Sequence, residues 1–166
     1  MNAAHYDCRQ LAGADVTLLK GLLEVFADAF GDAETYRGSV PGDDYLARLL
    51  SMRHFIAVVA ITGEEEVVGG LAAYELDKFE QDRREIFIYD LAVAEGHRRR
   101  GVATALIEGL RRIAAVRGAY LMFVQADDGD EAAIALYETF GRKETAHQFD
   151  IDVPSRAPKE AQENSG

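Results

Sequence analysis

Apolar side chains recur three and four positions apart in four stretches of the chain, which is the spacing of helices that bury one face. The first stretch follows Asp15, which can cap a helix start, and stops at Gly31, which can end a helix. A further start lies at Pro41-Gly42-Asp43-Asp44. The pattern predicts helices over residues 15–30, 43–52, 101–117 and 130–140, with a polar loop over residues 32–42.

Continuous apolar runs and alternating positions predict the strands. Phe55–Ile61 and Val67–Leu76 flank a short polar turn and are expected to form a hairpin. Glu85–Val93 is long and apolar enough for a central strand. The remaining predicted strands are His5–Leu11, Ala119–Ala126 and about Lys143–Val153, where Phe149, Ile151 and Val153 alternate with Asp150 and Asp152.

These elements follow one another as strand, helix, helix, three strands, helix, strand, helix, strand, which predicts a mixed α/β sheet. At 166 residues, of which 48% are hydrophobic and 28% charged, the chain is expected to form one globular domain over residues 1–153. Residues 154–166 are polar and are expected to be a flexible tail. The chain shows neither a leader pattern nor an apolar run of roughly 18 to 20 residues, so a cytoplasmic protein is expected.

The chain is strongly acidic, because 29 Asp and Glu residues against 18 Lys and Arg residues give a net charge of -11. Such a surface repels nucleic acids and anionic membranes, so neither is an expected partner. The same field raises the concentration of a cationic ligand near an acidic cleft. The composition also fits a surface whose acidic residues serve solubility alone.

Cysteine and histidine residues form no motif for a nucleophile or a metal site. Cys8 is the single cysteine, and its place on a predicted strand favours a packed thiol over a reactive one. His97 has no second His, Cys or paired acid at ligand spacing, and His5, His54 and His147 are scattered. We expect no metal, and a loop position for His97.

Three arginines precede the third predicted helix, in the sequence His97-Arg98-Arg99-Arg100-Gly101. The helix start presents free backbone N–H groups near the end of the predicted central strand, and such a start binds phosphates. Arginine adds charge-assisted hydrogen bonds, and glycine lets the backbone approach a ligand closely. Neither GxxxxGK[ST] nor GxGxxG occurs in the chain. The turn predicts either a pyrophosphate site of another kind or a basic helix start on a solvated face.

Two segments resemble motifs of the GNAT superfamily of acyl-CoA-dependent N-acetyltransferases. Arg98–Ala103, which follows Leu91–Val93, matches the signature [QR]-x-x-G-x-[GA]. Asp130–Gly141 resembles the helix motif N-x-x-A-x-x-L-Y-x-x-x-G, with Asp130 in place of the usual Asn and Arg142 in place of a frequent aromatic residue. From about Leu22 to Asp152, the stretches FGDAETY, FEQDRREIFIYDLAV, HRRRGVATALI, GAYLMFVQADDGD and ALYETFGRKE resemble the aminoglycoside 3-N-acetyltransferases of this superfamily.

This resemblance implies the GNAT fold, an α/β (α+β) architecture in which four helices flank a mixed central sheet of about six to seven strands. It implies that acetyl-CoA donates its acetyl group to the 3-amino group of a 2-deoxystreptamine aminoglycoside of the gentamicin type, by direct attack in a ternary complex. The reaction would confer antibiotic resistance, and a homodimer is expected because relatives often dimerise. The alternatives are an enzyme for another amine, such as a polyamine or a protein N-terminus, and a non-catalytic acyl-CoA-binding module.

The resemblance also assigns residues to the co-substrate. The backbone of Leu91, Ala92 and Val93 would bind pantetheine, which is compatible with packing of their side chains in the core. Tyr137 stands where the family has a tyrosine that protonates the leaving thiolate, although a half-buried core tyrosine also fits this position. The pyrophosphate would be bound by Arg98, Arg99, Arg100, Gly101, Val102, Ala103 and Thr104.

An aminoglycoside amine is mostly protonated at neutral pH, so the reaction needs a carboxylate that takes up a proton. Asp90 is the first candidate, because an acid within an apolar strand needs a reason to be buried. It could instead face outward or hold a loop, and Glu85 and Asp127 are the alternates. The cationic acceptor is expected to meet Asp127 and Asp128 in the acidic loop, with Asp150 and Asp152 adding to the same field.

Overall fold

The computed structural model describes residues 6–154. Five strands form one sheet in the order β1-β2-β3-β4-β5; neighbouring strands are antiparallel except for the parallel pair β4 and β5. The strands are β1 (Asp7–Gln10), β2 (Phe55–Ile61), β3 (Val67–Asp77), β4 (Arg84–Val93) and β5 (Ala119–Val124). The helices are α1 (Val16–Phe30), α2 (Ala33–Arg37), α3 (Asp43–Ser51), α4 (Val102–Arg117) and α5 (Glu131–Glu138).

Helices cover both faces of the sheet, which confirms the predicted mixed α/β architecture. Leu22 and Phe26 of α1 and Leu46 of α3 are buried in one core. Leu106 and Leu110 of α4 are buried in the core on the other face. α4 also makes the crossover from β4 to β5, which two parallel neighbours require.

α1 packs closely on the sheet because β3 contains Gly70. A Cβ atom at Gly70 would lie 2.6 Å from Cδ1 of Leu22 and 2.7 Å from the carbonyl oxygen of Val58. A side chain at this position would therefore push α1 away from β3.

A buried carboxylate fixes the end of the sheet at which β4 begins. The Glu75 side chain is only 4% exposed and forms ion pairs with Arg53 at 3.4 Å, Arg84 at 3.6 Å and Arg117 at 2.9 Å. These residues join β3, β4 and the last turn of α4. We call this the closed end of the sheet.

Residues 32–42 contain a helix where the sequence predicted a polar loop. The Asp32 side chain caps α2 by accepting a hydrogen bond from the Thr35 backbone N–H at 3.1 Å. Arg37 then joins α2 to α1 by hydrogen bonds to Glu24 and, at 2.7 Å, to Asp28. A helix of five residues is too short to show an apolar period, so the pattern could not reveal it.

Asp15 precedes α1 as predicted, but its side chain does not cap the helix. The carboxylate instead accepts hydrogen bonds from the Ala12 backbone N–H at 2.8 Å and from Arg9 at 3.2 Å. Gly31 ends the helix as predicted, in a left-handed conformation with φ 65°.

The predicted last strand, about Lys143–Val153, is wrong, because residues 142–154 adopt no regular secondary structure. Phe149, Ile151 and Val153 are 80–85% exposed. Their alternation has no apolar surface to cover, and a strand without a partner is not stable. Within residues 6–154 the sheet thus has five strands rather than six to seven, with five helices rather than four.

Over the same residues, no helix has both the length and the apolar character needed to span a bilayer. His5 and the predicted tail beyond residue 154 lie outside the described residues.

Candidate active site

β4 and β5 separate halfway along β4. Their pairing runs from Arg84 with Ala119 to Ile88 with Val124, where β5 ends. β4 continues to Val93, and over this section it pairs with β3 alone among residues 6–154. We call this section, residues 89–93, the open edge of β4. An extended ligand that contains amide groups can bind such an edge as an added strand would.

A β-bulge lies where the open edge begins. Ala73 of β3 pairs with Ile88 and Ala72 pairs with Asp90, so Tyr89 is the extra residue. The bulge changes which face the following side chains occupy. Residues paired across two strands share a face, and Ala72 packs toward α1 and α3. Asp90 therefore lies on the face that these helices cover.

The carboxyl group of Asp90 is half-buried and has a tyrosine partner. The hydroxyl of Tyr36 donates a hydrogen bond to Oδ1 of Asp90 at 3.2 Å. Burial raises the pKa of Asp90, and the smaller effect of the Tyr36 hydrogen bond lowers it. A carboxylate with a raised pKa takes up a proton more readily, which suits a general base.

Tyr36 reaches Asp90 from α2, the helix that the sequence did not predict. Its ring packs against Phe26 and Phe30, with centroids 5.6 and 5.7 Å apart. Burial raises the pKa of Tyr36 strongly, followed by the charge of Asp90. The available signal was the capping pair Asp32 and Thr35, which marks a helix start without an apolar period.

The arginine turn lies between the open edge and α4. Arg99 has φ 58° and Gly101 has φ 80°, both in the left-handed region. A residue other than glycine in this region is strained, and such strain is common at functional turns. Arg98 donates a hydrogen bond from Nε to the Val93 carbonyl oxygen at 2.9 Å, which holds the turn against β4. Arg99 and Arg100 are exposed.

α4 starts directly after Gly101, and no side chain of the described residues caps it. The first intrahelical hydrogen bond runs from the Ala105 N–H to the Gly101 carbonyl at 2.9 Å. Earlier N–H groups of a helix have no acceptor within the helix and can bind an anion. These groups belong to Val102, Ala103 and Thr104.

The acidic loop follows β5. The carboxyl ends of parallel strands meet at one edge of a sheet, and this edge commonly borders a ligand site. Asp127 and Asp128 lie three and four residues after the end of β5 and are exposed. Asp130 instead caps α5 by accepting a hydrogen bond from the Ala133 N–H at 3.0 Å. The loop therefore has two carboxylates that the helix start does not use.

Tyr137 lies half-buried near the end of α5. Burial raises its pKa, and the charge of Asp130 adds a smaller increase in the same direction. The hydroxyl therefore keeps its proton through the neutral range, as a proton donor must.

Glu85 lies away from the open edge, and Asp150 and Asp152 lie outside the sheet. Glu85 pairs with Leu121 near the closed end, about 17 Å along the strand from Asp90. A hydrogen bond from Tyr120 lowers its pKa more than any other interaction does. Asp150 and Asp152 lie in the exposed segment after residue 142, outside the sheet.

Cys8 and His97 occupy the positions expected of them. Cys8 is half-buried on β1, and burial raises the pKa of its thiol. His97 ends a single 3-10 turn, and its Nδ1 lies 3.1 Å from the hydroxyl of Tyr6. Within residues 6–154 no group of three or more His, Cys, Asp or Glu side chains is placed to hold a metal ion.

The site therefore has three parts: an open strand edge, a basic turn with free helix N–H groups, and carboxylates at Asp90 and in the acidic loop. The first two follow each other along the chain and suit an elongated ligand with amide groups at one end and phosphates at the other. The carboxylates suit a cationic ligand.

A family model described as "Acetyltransferase (GNAT) family" matches residues 20–141. The match runs from α1 through α5 and includes the open edge, the arginine turn and Tyr137.

Two solved structures share both sequence and fold with the chain. An aminoglycoside acetyltransferase, HMB0005, from an uncultured soil metagenomic sample is 54% identical, with a TM-score of 0.88 over 90% of this chain and 99% of that one. A second aminoglycoside acetyltransferase, meta-AAC0020, also from an uncultured soil metagenomic sample and in complex with sisomicin, is 27% identical, with a TM-score of 0.83 over 90% and 97% of the two chains.

A human relative, N-acetyltransferase 8 of Homo sapiens, is 30% identical over 86 residues. These residues are 52% of this chain and 38% of the human protein, so the match spans well under half of that relative's length.

Proposed function

The chain belongs to the acetyltransferase (GNAT) family, and from that premise we propose that it transfers the acetyl group of acetyl-CoA to an aminoglycoside. The proposed acceptor is the 3-amino group of 2-deoxystreptamine in antibiotics of the gentamicin type. The observation that carries the proposal is the half-buried Asp90 carboxyl group on the open edge of β4. The 54% identity to an aminoglycoside acetyltransferase supports the acceptor class.

Acetyl-CoA, the donor that GNAT enzymes use, fits the first two parts of the site. Backbone groups of Leu91, Ala92 and Val93 would bind the amides of pantetheine, since this section of β4 pairs with no described strand other than β3. Arg99 and Arg100 are exposed beside the free N–H groups of α4, where the pyrophosphate would bind. Arg98 would act mainly by holding the turn, because its Nε donates a hydrogen bond to the Val93 carbonyl oxygen.

Side chains of this protein would take a proton from the acceptor nitrogen and give a proton to the leaving sulfur. The ammonium group of the acceptor first loses one proton to solvent. The free amine nitrogen then attacks the acetyl carbonyl carbon, the carbon–sulfur bond breaks, and the second proton lost by the nitrogen passes to the carboxylate of Asp90. A backbone N–H near Val93 would stabilise the charge that develops on the carbonyl oxygen. Tyr137 would give its proton to the leaving sulfur, and the products are an amide and CoA. A proton exchange through solvent from Asp90 to Tyr137 then restores both groups for the next turnover.

The acceptor would be held by charge. An aminoglycoside carries several ammonium groups, and Asp127 and Asp128 are exposed at the end of β5. We assign the main contacts to these two residues. Asp150 and Asp152, exposed in the segment after residue 142, would add to the same field.

Wider parts of the proposal concern the whole protein. Acetylation of the antibiotic would confer resistance on a cell that makes this enzyme in its cytoplasm, with residues 1–153 as its single domain. The exposed Phe149, Ile151 and Val153 favour the expected homodimer. Sedimentation of the full chain measures its oligomeric state directly.

The deciding experiment measures CoA release with a thiol reagent across gentamicin, sisomicin, spermidine and an N-terminal peptide. We expect turnover with the two aminoglycosides alone, and NMR of the product should place the new amide at the 3-nitrogen. Acetylation at another nitrogen would contradict the proposed position. Turnover with spermidine or the peptide alone would contradict the acceptor class, and CoA binding without turnover would support a binding module.

A further inference from the structure

Tyr36 is the described side chain that hydrogen-bonds to Asp90, and its position is fixed from two sides. Its hydroxyl lies 3.2 Å from Oδ1 of Asp90, and its ring packs in the cluster of Phe26 and Phe30. α2, which carries it, is joined to α1 through the hydrogen bonds of Arg37. The hydrogen bond to Asp90 and the packing of the ring together fix the position of the Tyr36 hydroxyl.

Within residues 6–154, no other side chain forms a hydrogen bond with the Asp90 carboxyl group. Tyr74 from β3 and Tyr89 from β4 lie nearby, and their rings pack edge to face at 5.9 Å. Among the described residues, burial and the Tyr36 hydrogen bond are what shift the pKa of Asp90, with no contribution from a cation. Among the described residues, the hydrogen bond from Tyr36 is therefore the interaction that stabilises the ionised form of Asp90, which burial destabilises.

We propose that Tyr36 is a positioning residue for Asp90, whose hydroxyl holds one carboxylate oxygen so that the other can accept the proton of the attacking amine. The inference rests on the proposed function, in which Asp90 is the base. Tyr36 keeps its own proton throughout. The amine proton moves to the second oxygen of Asp90 as the nitrogen–carbon bond forms and the carbon–sulfur bond breaks.

Tyr36→Phe tests the inference with little change in packing, because only the hydroxyl is lost. We expect kcat to fall about tenfold, which corresponds to one hydrogen bond to a charged group, with the KM of acetyl-CoA unchanged. The pKa of Asp90 should rise when the hydrogen bond is removed. The acidic limb of the pH–rate profile should therefore move to higher pH, and the loss should be larger at pH 6 than at pH 8.5.

Tyr120→Phe is the matched control, because it also removes a hydrogen bond from a tyrosine to a carboxylate. Tyr120 donates to Glu85 near the closed end, far from Asp90. This variant should keep the wild-type kcat and pH profile. Equal behaviour of the two variants would overturn the inference.

A double variant separates an action through Asp90 from an independent one. If Tyr36 acts through Asp90, then Tyr36→Phe should have little further effect in an Asp90→Asn background. The same fold-loss in both backgrounds would overturn the inference. A rise confined to the aminoglycoside KM, with the pH profile in place, would do so as well, since it would make Tyr36 a substrate contact.

Carbon-13 NMR of labelled aspartate carboxyl groups provides a readout that needs no acceptor. The titration of Asp90, assigned with Asp90→Asn, should move to higher pH in Tyr36→Phe and stay in place in Tyr120→Phe. An unmoved titration would overturn the inference whatever the acceptor is. Absence of CoA release from the wild type with every aminoglycoside would instead overturn the proposed function.

Discussion

Asp90 is a half-buried carboxyl group whose pKa is raised, first of all by burial. For an acid, a folded-state pKa above the unfolded one means that ionisation destabilises the fold once the pH passes the unfolded value. Asp90→Asn should therefore raise Tm at pH 7.5, while turnover is lost. The gain should shrink as the pH is lowered toward 4. Thermal unfolding followed by circular dichroism measures it, and a lower Tm than wild type at pH 7.5 would contradict the argument.

Tyr137 keeps its proton because burial, and then the charge of Asp130, raise its pKa. If it protonates the departing sulfur, Tyr137→Phe should lower kcat about 10- to 100-fold and leave the KM of acetyl-CoA nearly unchanged. Steady-state kinetics with both substrates gives the two values. An unchanged kcat would mean that Tyr137 serves packing alone.

A substitution of Cys8 tests whether the amine attacks acetyl-CoA directly or the acetyl group passes first to the enzyme. Direct attack of the amine needs no acetylated cysteine, and Cys8 lies half-buried on β1 with a thiol pKa raised by burial. Cys8→Ala should therefore keep at least about half of the wild-type kcat. Incubation with labelled acetyl-CoA alone should leave the protein unlabelled. Loss of turnover, or a labelled enzyme that forms without acceptor, would indicate a covalent intermediate instead.

At the scale of the element, the start of α4 depends on Gly101, which has φ 80°. A Cβ atom there would meet no atom within 4 Å, so backbone conformation rather than space opposes a side chain. Gly101→Ala should destabilise the fold by about 1–2 kcal/mol and raise the KM of acetyl-CoA several-fold. Gly96→Ala is the matched control, since Gly96 has equal space and lies outside the left-handed region. Chemical unfolding should show a change within about 0.5 kcal/mol for the control. Equal losses in both variants would contradict a conformational cause.

The elements that the sequence predicted correctly are those whose pattern and packing agree. α1, α4 and the central strands have enough residues to show a period, and each buries the face that the period marks. α2 is five residues long and is held by the Asp32 cap and the ion pairs of Arg37, which leave no period to read. Residues 149–153 do alternate between apolar and acidic side chains, but the apolar ones are exposed and pack against no described part of the protein.

The candidate site follows the same division between local pattern and tertiary contact. The arginine turn and the Asp130 cap could be predicted, because each depends on neighbouring residues. Tyr36 could not, since it is 54 positions from Asp90 along the chain and only the fold brings them together. The hydrogen bond from Arg98 to Val93 likewise depends on the path of the turn.

At the scale of the whole molecule, the two proposed ligands have opposite charges and are assigned to regions of opposite charge: anionic acetyl-CoA to the basic turn and the cationic acceptor to the acidic loop. The chain carries a net charge of -11, yet its basic turn lies at the start of α4 and its free acids follow β5. Long-range attraction to a polycation weakens as salt screens it, with a Debye length of about 10 Å at 0.1 M. We expect kcat/KM for gentamicin to fall roughly tenfold between 50 and 500 mM NaCl.

Two double variants that remove the same number of carboxylates at different places test whether the salt dependence comes from the acidic loop or from the net charge. Asp127→Asn with Asp128→Asn should flatten the salt dependence, because the variant removes the two carboxylates that we propose contact the acceptor. Asp77→Asn with Asp82→Asn removes the same number of charges near the closed end, one from the last residue of β3 and one from the β3–β4 turn, and should keep most of the wild-type slope. If both double variants flattened the dependence equally, net charge rather than the acidic loop would attract the acceptor. An acceptor with fewer amines should show a smaller slope on the wild-type enzyme, because fewer charges are screened.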